Sequence, residues 1–272
     1  MIIPDASIQD IPFEALNTTK NSTRYLVENN NISYNYSLSF LNELKSKKTK
    51  SNKNFFGLAP VEFISKNLKT LNSTRNEISS INDILDGDTF LDFNATKTNF
   101  LNNSSNYKIL HLATHATSSD NPAIYFSKDT LQLHELYTHK TNADLVVLSA
   151  CESNLGEIKK GEGVFSLSRG FFYSGAKSVI SSLWNVNDVS TSSIMKDFYK
   201  NLNNNQSKSE ALNNAKRNYL NEHSLSEKSP YYWASFVLIG DTSPTYPATP
   251  YWIYLLGVVA LFSFTLFFYN RN

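Results

Sequence analysis

Past Asn106 the chain alternates between short apolar runs and longer stretches of helical periodicity, and this alternation narrows the fold more than any other feature. Tyr107–Ala113, Asp144–Ala150, Lys177–Trp184 and Trp233–Ile239 are brief and rich in Val, Ile, Leu and Phe, as strands buried on both faces must be. Between them, Val164, Leu167, Phe171 and Phe172 recur at helical spacing ahead of Gly175. Ile194, Met195, Phe198 and Leu202 do the same after a Ser/Thr-rich start, and a further helix is expected near Ser209–Leu220. Strands that alternate with helices call for crossovers, which cover both faces of a parallel sheet. The expected fold class is therefore α/β, a mostly parallel sheet flanked by helices. Reactive groups in such sheets gather beyond the carboxyl ends of the strands.

Composition closes off several classes of function. Of 272 residues, 41% are hydrophobic and 18% charged, which is enough apolar material for one large core and excludes wholesale disorder. Twenty-five Lys and Arg against 24 Asp and Glu give a net charge of +1, with no general pull toward a polyanion, so nucleic acid is not an expected partner. The lone cysteine, Cys151, permits neither an intrachain disulfide nor a multi-thiolate metal site. No glycine loop of the phosphate-cradling kind occurs, and no cofactor is expected. Residues 1–106 are polar, with apolar segments at Ile11–Leu16, Ser37–Leu44 and Phe63–Leu71. The run from Lys45 to Lys53 carries five lysines and reads as an exposed, solvated loop.

The C-terminal stretch stands apart. No charged residue occurs between Tyr251 and Tyr269, and a helix over this run would nearly cross a hydrocarbon core of about 30 Å. Tyr246, Tyr251, Trp252 and Tyr254 crowd one end and Phe267, Phe268 and Tyr269 the other, as interfacial belts do. Residues 251–269 are expected to form one membrane-spanning helix, joined to the rest by a Pro-rich linker at 242–250. A buried core helix is the competing reading. Pro244, Pro247 and Pro250 separate the run from everything before it. Met1–Asp10 has neither a basic start nor an unbroken apolar core, so no signal peptide is visible and the side of the membrane stays open.

Two of the expected strands end in reactive residues. The first runs into Thr114-His115-Ala116, the second into Ser149-Ala150-Cys151-Glu152-Ser153. If these strands are adjacent and parallel, His115 and Cys151 leave the same edge of the sheet. An imidazole beside a thiol takes its proton or stabilises the thiolate, turning a weak nucleophile into an effective one. The backbone amides of Ala116 and Cys151 would then meet the oxyanion of an attacked carbonyl. A lone cysteine is more often inert packing, and a strand-end histidine is often a satisfied core residue. His111 and His115 are four apart on an expected strand, too far along it for one metal ion, and the zinc-peptidase Glu is missing, so no metal site is expected.

Linked motifs add to this reading. His-Leu-Ala-Thr-His-Ala at 111–116, Val-Val-Leu-Ser-Ala-Cys-Glu-Ser at 146–153, Gly-Glu-Gly-Val at 161–164, Ser-Leu-Trp-Asn-Val-Asn-Asp at 182–188 and Tyr-Trp-Ala-Ser-Phe-Val-Leu-Ile-Gly at 232–240 resemble the CHAT domain, a caspase- and separase-like cysteine peptidase domain. Ile-Pro-Phe-Glu-Ala-Leu at 11–16 resembles that family's early motif. The resemblance implies a CHAT domain over 1–241, with an N-terminal part at 1–106 and a catalytic part at 107–241. It implies a caspase-like sheet with His115 as base and Cys151 as nucleophile, and leaves His111 to the core or a supporting role. The family often has glycine where Ala116 stands, so a backbone angle suited to glycine would be strained there.

Asp188, Glu162 and Asp120, together with Glu152, are the acids placed to favour a basic side chain before the scissile bond. The plainer reading makes Glu162 and Asp188 helix-start residues. Trp184 and Trp233 are expected to pack in the core. The function so implied is a membrane-anchored endopeptidase cutting a specific protein substrate. Its alternatives are a non-catalytic tethered interaction domain or an acyl hydrolase acting on non-peptide substrates. CHAT domains often follow sensor-like TPR repeats. None is visible here, and the start at Met1-Ile-Ile-Pro suggests a fragment or a regulatory region supplied by a partner chain.

Overall fold

The computed structural model describes residues 1–5, 8–20, 24–64, 68–117, 121–149, 165–184 and 188–246, without the side chains of 165, 166 and 188. Its centre is a six-stranded sheet built from β1 (Lys53–Ala59), β2 (Gly87–Leu91), β3 (Tyr107–Leu112), β7 (Leu145–Leu148), β8 (Ser178–Ser182) and β9 (Phe236–Gly240), in the spatial order β2-β1-β3-β7-β8-β9. All neighbours are parallel except β9, which returns antiparallel to β8. The mostly parallel α/β sheet read from the sequence is therefore present, with three differences. The strands are shorter at their ends than the apolar runs. The last strand is reversed, because two long helices, not one, lie between it and β8 and return the chain to the rim where β8 ended. The polar N-terminal part supplies β1 and β2, so Lys53 opens a strand and is not part of a loop.

Two helical layers cover the faces. On one side lie α1 (Leu38–Ser46), α3 (Lys97–Asn103), α4 (Leu133–Thr138) and α5 (Phe165–Ser174). On the other lie α2 (Thr74–Leu85), α6 (Asp188–Asn203), α7 (Lys208–Glu222) and the short α8 (Pro230–Trp233). Local chemistry explains where they begin. Ser37 accepts from Phe40 N at 3.0 Å ahead of α1, and Ser207 with Glu210 forms a reciprocal cap on α7. Helix α2 buries Ile78, Ile81 and Leu85, spaced to form one stripe against β1. Each such side chain, fully buried, contributes about 1.5–3 kcal/mol. Trp233 is fully buried, whereas Trp184 is only partly covered and donates its indole N–H to Tyr231 O at 3.1 Å.

The two ends of the sheet have different roles. Past the carboxyl ends of the parallel strands, β4 (Ala116–Thr117), β5 (Ala123–Tyr125) and β6 (Thr130–Gln132) form a small antiparallel sheet that the sequence reading did not anticipate. At the opposite end, Gly240 turns the chain out of β9 at φ +100°, where an added Cβ would sit 2.6 Å from Lys177 O. The β9 edge is covered by the chain's own beginning: Tyr34 bridges Ile239 in parallel fashion, and Ile2 bridges Tyr34. Among the described residues no helix is long and apolar enough to cross a membrane, and the 251–269 run lies outside them.

Candidate active site

His115 stands three residues past the end of β3, at the carboxyl-terminal rim of the parallel strands. The neighbouring chain segments fix it there. Ala113 N donates to Leu58 O at 2.9 Å on one side, and Ser149 N donates to Leu112 O at 3.0 Å on the other. Thr114 Oγ1 donates to Tyr125 O at 2.5 Å, and Tyr125 N donates to His115 O at 3.0 Å. That last bond makes Ala116 and Ile124 a non-hydrogen-bonded pair of the small sheet, so the Ala116 amide points away from β5. Ala116 is not among the residues with positive φ, so alanine in place of the family's glycine causes no backbone strain.

The imidazole has a defined tautomer. Its Nε2 lies 2.7 Å from Lys69 O, and because a carbonyl only accepts, Nε2 carries the proton. In the neutral ring Nδ1 is then the basic nitrogen. The Phe63 ring packs tilted against the imidazole, with centroids 4.9 Å apart. His115 is only 2% exposed, so the ring does not open freely to solvent as the sequence reading expected of a cleft. Neither Lys69 nor Phe63 stands in a motif that marks it, although their apolar segment, Phe63–Leu71, follows β1 onto the rim where such folds place their sites.

Cys151, Glu162, Asp120 and Glu152 lie outside the described residues. Asp188 is the first residue of α6, one position inside the start where a cap was expected, and its side chain is likewise outside them. His111 has a supporting place. It is fully buried, its Nδ1 2.9 Å from Tyr199 Oη and its Nε2 2.9 Å from Glu77 Oε1, tying β3 to α6 and α2. Burial first, and then the nearby Glu77 charge, push the Tyr199 phenol well above its ordinary pKa, so it stays a neutral donor or acceptor. His139 bonds Ser104 Oγ at 2.8 Å and packs on Phe100, and burial lowers its pKa. Among the described residues no cluster of three or more His, Cys, Asp or Glu side chains is placed to hold a metal ion.

Comparison with known proteins bears on this arrangement. The family model described as the CHAT domain matches residues 1–241. Among solved structures, the chain is similar to the Arg-specific cysteine proteinase gingipain R, at 10% identity and a TM-score of 0.51, over 76% of this chain and 52% of that one. It is also similar to a chain of the Saccharomyces cerevisiae separase–securin complex, at 15% identity and a TM-score of 0.50, over 85% of this chain and 14% of that one. The chain thus spans about half the length of the gingipain chain. At such identities the likeness is one of fold. No curated protein matches the chain.

Proposed function

The chain belongs to the CHAT domain family, and on that premise we propose that it is a membrane-anchored cysteine endopeptidase acting through a His115–Cys151 dyad on a specific protein. One observation carries the proposal. Strands β3 and β7 are parallel neighbours with Leu112 opposite Leu148, and His115 and Cys151 each lie three residues beyond that pair. Equal offsets from one register position on adjacent parallel strands, about 4.8 Å apart, support the reading that base and thiol share one stretch of rim.

The tautomer of His115 suits this chemistry. With the Nε2 proton committed to Lys69 O, Nδ1 takes the Cys151 thiol proton as sulfur bonds to the substrate carbonyl carbon. The carbonyl π electrons move to oxygen, where the Ala116 and Cys151 amides receive the charge. Nδ1–H then protonates the leaving amine as the C–N bond breaks. Water, deprotonated by Nδ1, hydrolyses the thioester and releases the thiol. Glu162, Asp120 and Asp188 form the proposed acidic surround for a basic residue before the cut. A protein substrate and a regulatory region or partner chain complete the reading. Because His115 is 2% exposed, the resting protein has to uncover it before substrate enters.

The test uses the full chain. Alkylation of Cys151 by iodoacetamide should run faster than that of a free thiol, and His115→Ala should slow it about a hundredfold. A peptide library should yield cleavages that vanish in Cys151→Ser. A thiol that reacts only after unfolding, or a library left intact by protein whose Cys151 alkylates rapidly, would overturn the peptidase reading.

A further inference from the structure

The rim opposite His115 carries two features that catalysis leaves unused. The first is the way the chain leaves the sheet. Beyond β9, Asp241 and Asp144 share the ammonium groups of Lys208 and Lys177: Lys208 Nζ lies 2.9 Å from Asp144 and 3.4 Å from Asp241, and Lys177 Nζ lies 3.3 Å and 3.5 Å from the same two. Ser243 Oγ donates to Asp241 at 2.9 Å, and Thr245 Oγ1 donates to Asp144 at 2.7 Å. The Tyr246 ring lies 5.7 Å from Lys108 Nζ at the start of β3. Residues 241–246 are thereby pinned beneath the amino-terminal ends of β3 and β7. Five peptide steps separate Tyr246 from Tyr251, a reach of at most about 18 Å.

The second feature is the lysine run. It lies on this same rim, between α1 and β1, and is held across it. Ser51 Oγ donates to Asn142 O at 2.7 Å just before β7, and Asn52 N donates to Asn106 O at 3.1 Å just before β3. Lys45, Lys48, Lys50 and Lys53 are exposed and Lys47 half-buried. Lys47 is offset by Glu43 at 3.4 Å and Lys53 by Asp88 at 2.7 Å. Lys45, Lys48, Lys50 and exposed Lys140, in the chain entering β7, outnumber the exposed acids Asp83 and Asp86 at the end of α2 and Glu210 at the start of α7. A chain of net charge +1 thus concentrates positive charge beside the point from which its apolar run departs.

We propose that this amino-terminal rim is a docking face for an anionic lipid bilayer, with lysines 45, 48 and 50 against the headgroups and the His115 rim turned away. The proposal rests on the reading of 251–269 as a membrane span. The span and the basic face act together, and each lysine near an anionic surface strengthens contact about fivefold. Strand β1 spans roughly 20 Å between the two rims, so the cleft faces soluble or projecting polypeptide and not lipid.

The experiment reconstitutes full-length Cys151→Ser chain in vesicles of phosphatidylcholine alone or mixed equally with phosphatidylserine. A bimane probe is attached at Ser46→Cys on the lysine rim or at Thr70→Cys on the opposite rim. Headgroup-attached spin labels should quench the Ser46→Cys probe several-fold more than the Thr70→Cys probe in the mixed vesicles. That difference should fall in phosphatidylcholine alone and in the triple variant Lys45→Gln, Lys48→Gln, Lys50→Gln. Retention through an alkaline carbonate wash with equal quenching at both positions, or with quenching indifferent to lipid charge and to the three glutamines, overturns the docking face alone. Release by that wash from both vesicle types overturns the span, and the docking face with it.

Discussion

On the function proposed above, His115 is prepared before any substrate arrives. Its proton is assigned by a backbone carbonyl and its plane is held by the Phe63 ring, both from the segment after β1. Misplacing a reacting group by about 1 Å can cost up to about a hundredfold in rate. Phe63→Ala should therefore lower kcat about tenfold with KM unchanged. If Phe63 served only as a cover over the imidazole, kcat would rise instead, and steady-state cleavage of a library-derived peptide separates the two. The places of the two histidines are legible from their motif, which puts His111 in the interior and His115 on the rim. The positioning carbonyl was not legible, because a main-chain oxygen has no residue type to betray it.

At the scale of elements, each run named between Asn106 and Gly240 contains a strand or helix among its described residues, because apolar period and length agree there. Strands β1 and β2 escaped notice for a physical reason. Strand β2 is the sheet edge, and Asp88 and Thr89 interrupt its apolar pattern with side chains that the edge leaves partly in water, whereas β1 hides its short buried run, Phe55–Ala59, directly behind the polar lysine-rich segment. The clamp that fixes the exit from β9 carries a pH signature. Burial raises the Asp241 carboxyl, but the Lys208 charge, the Ser243 hydroxyl and then Lys177 outweigh it and hold the group below the ordinary carboxylate range. A carboxyl lowered in the folded state stabilises the fold above its unfolded pKa of about 4, and that stabilisation is lost as pH falls through the folded value. The urea midpoint of wild type should exceed that of Asp241→Asn by a constant margin from pH 7 to about pH 5, with the gap narrowing below about pH 4.

Across the whole molecule, a buried ion pair joins the beginning of the chain to α7. Lys216 Nζ lies 2.9 Å from Glu14 Oε1 and donates to Phe236 O at 2.6 Å, while Tyr34 Oη donates to Glu14 Oε2 at 2.5 Å. Glu14 belongs to the early motif quoted from the sequence, and its role is thus to satisfy a fully buried ammonium 202 residues away. Glu14→Ala strands that charge and should cost about 3–5 kcal/mol in chemical denaturation. Adding Lys216→Met should restore most of it. Such long-range pairing cannot be read from local periodicity, whereas the family motif marks its residue. One more property follows from the way residues 33–35 and Ile2 occupy the outer side of β9. A second copy cannot add backbone hydrogen bonds to β9 there, and β2 is the other margin of the six-stranded sheet, with no further strand beside it among the described residues. Joining of two molecules through β2 consumes that margin in both, so a contact of this kind closes at a twofold pair.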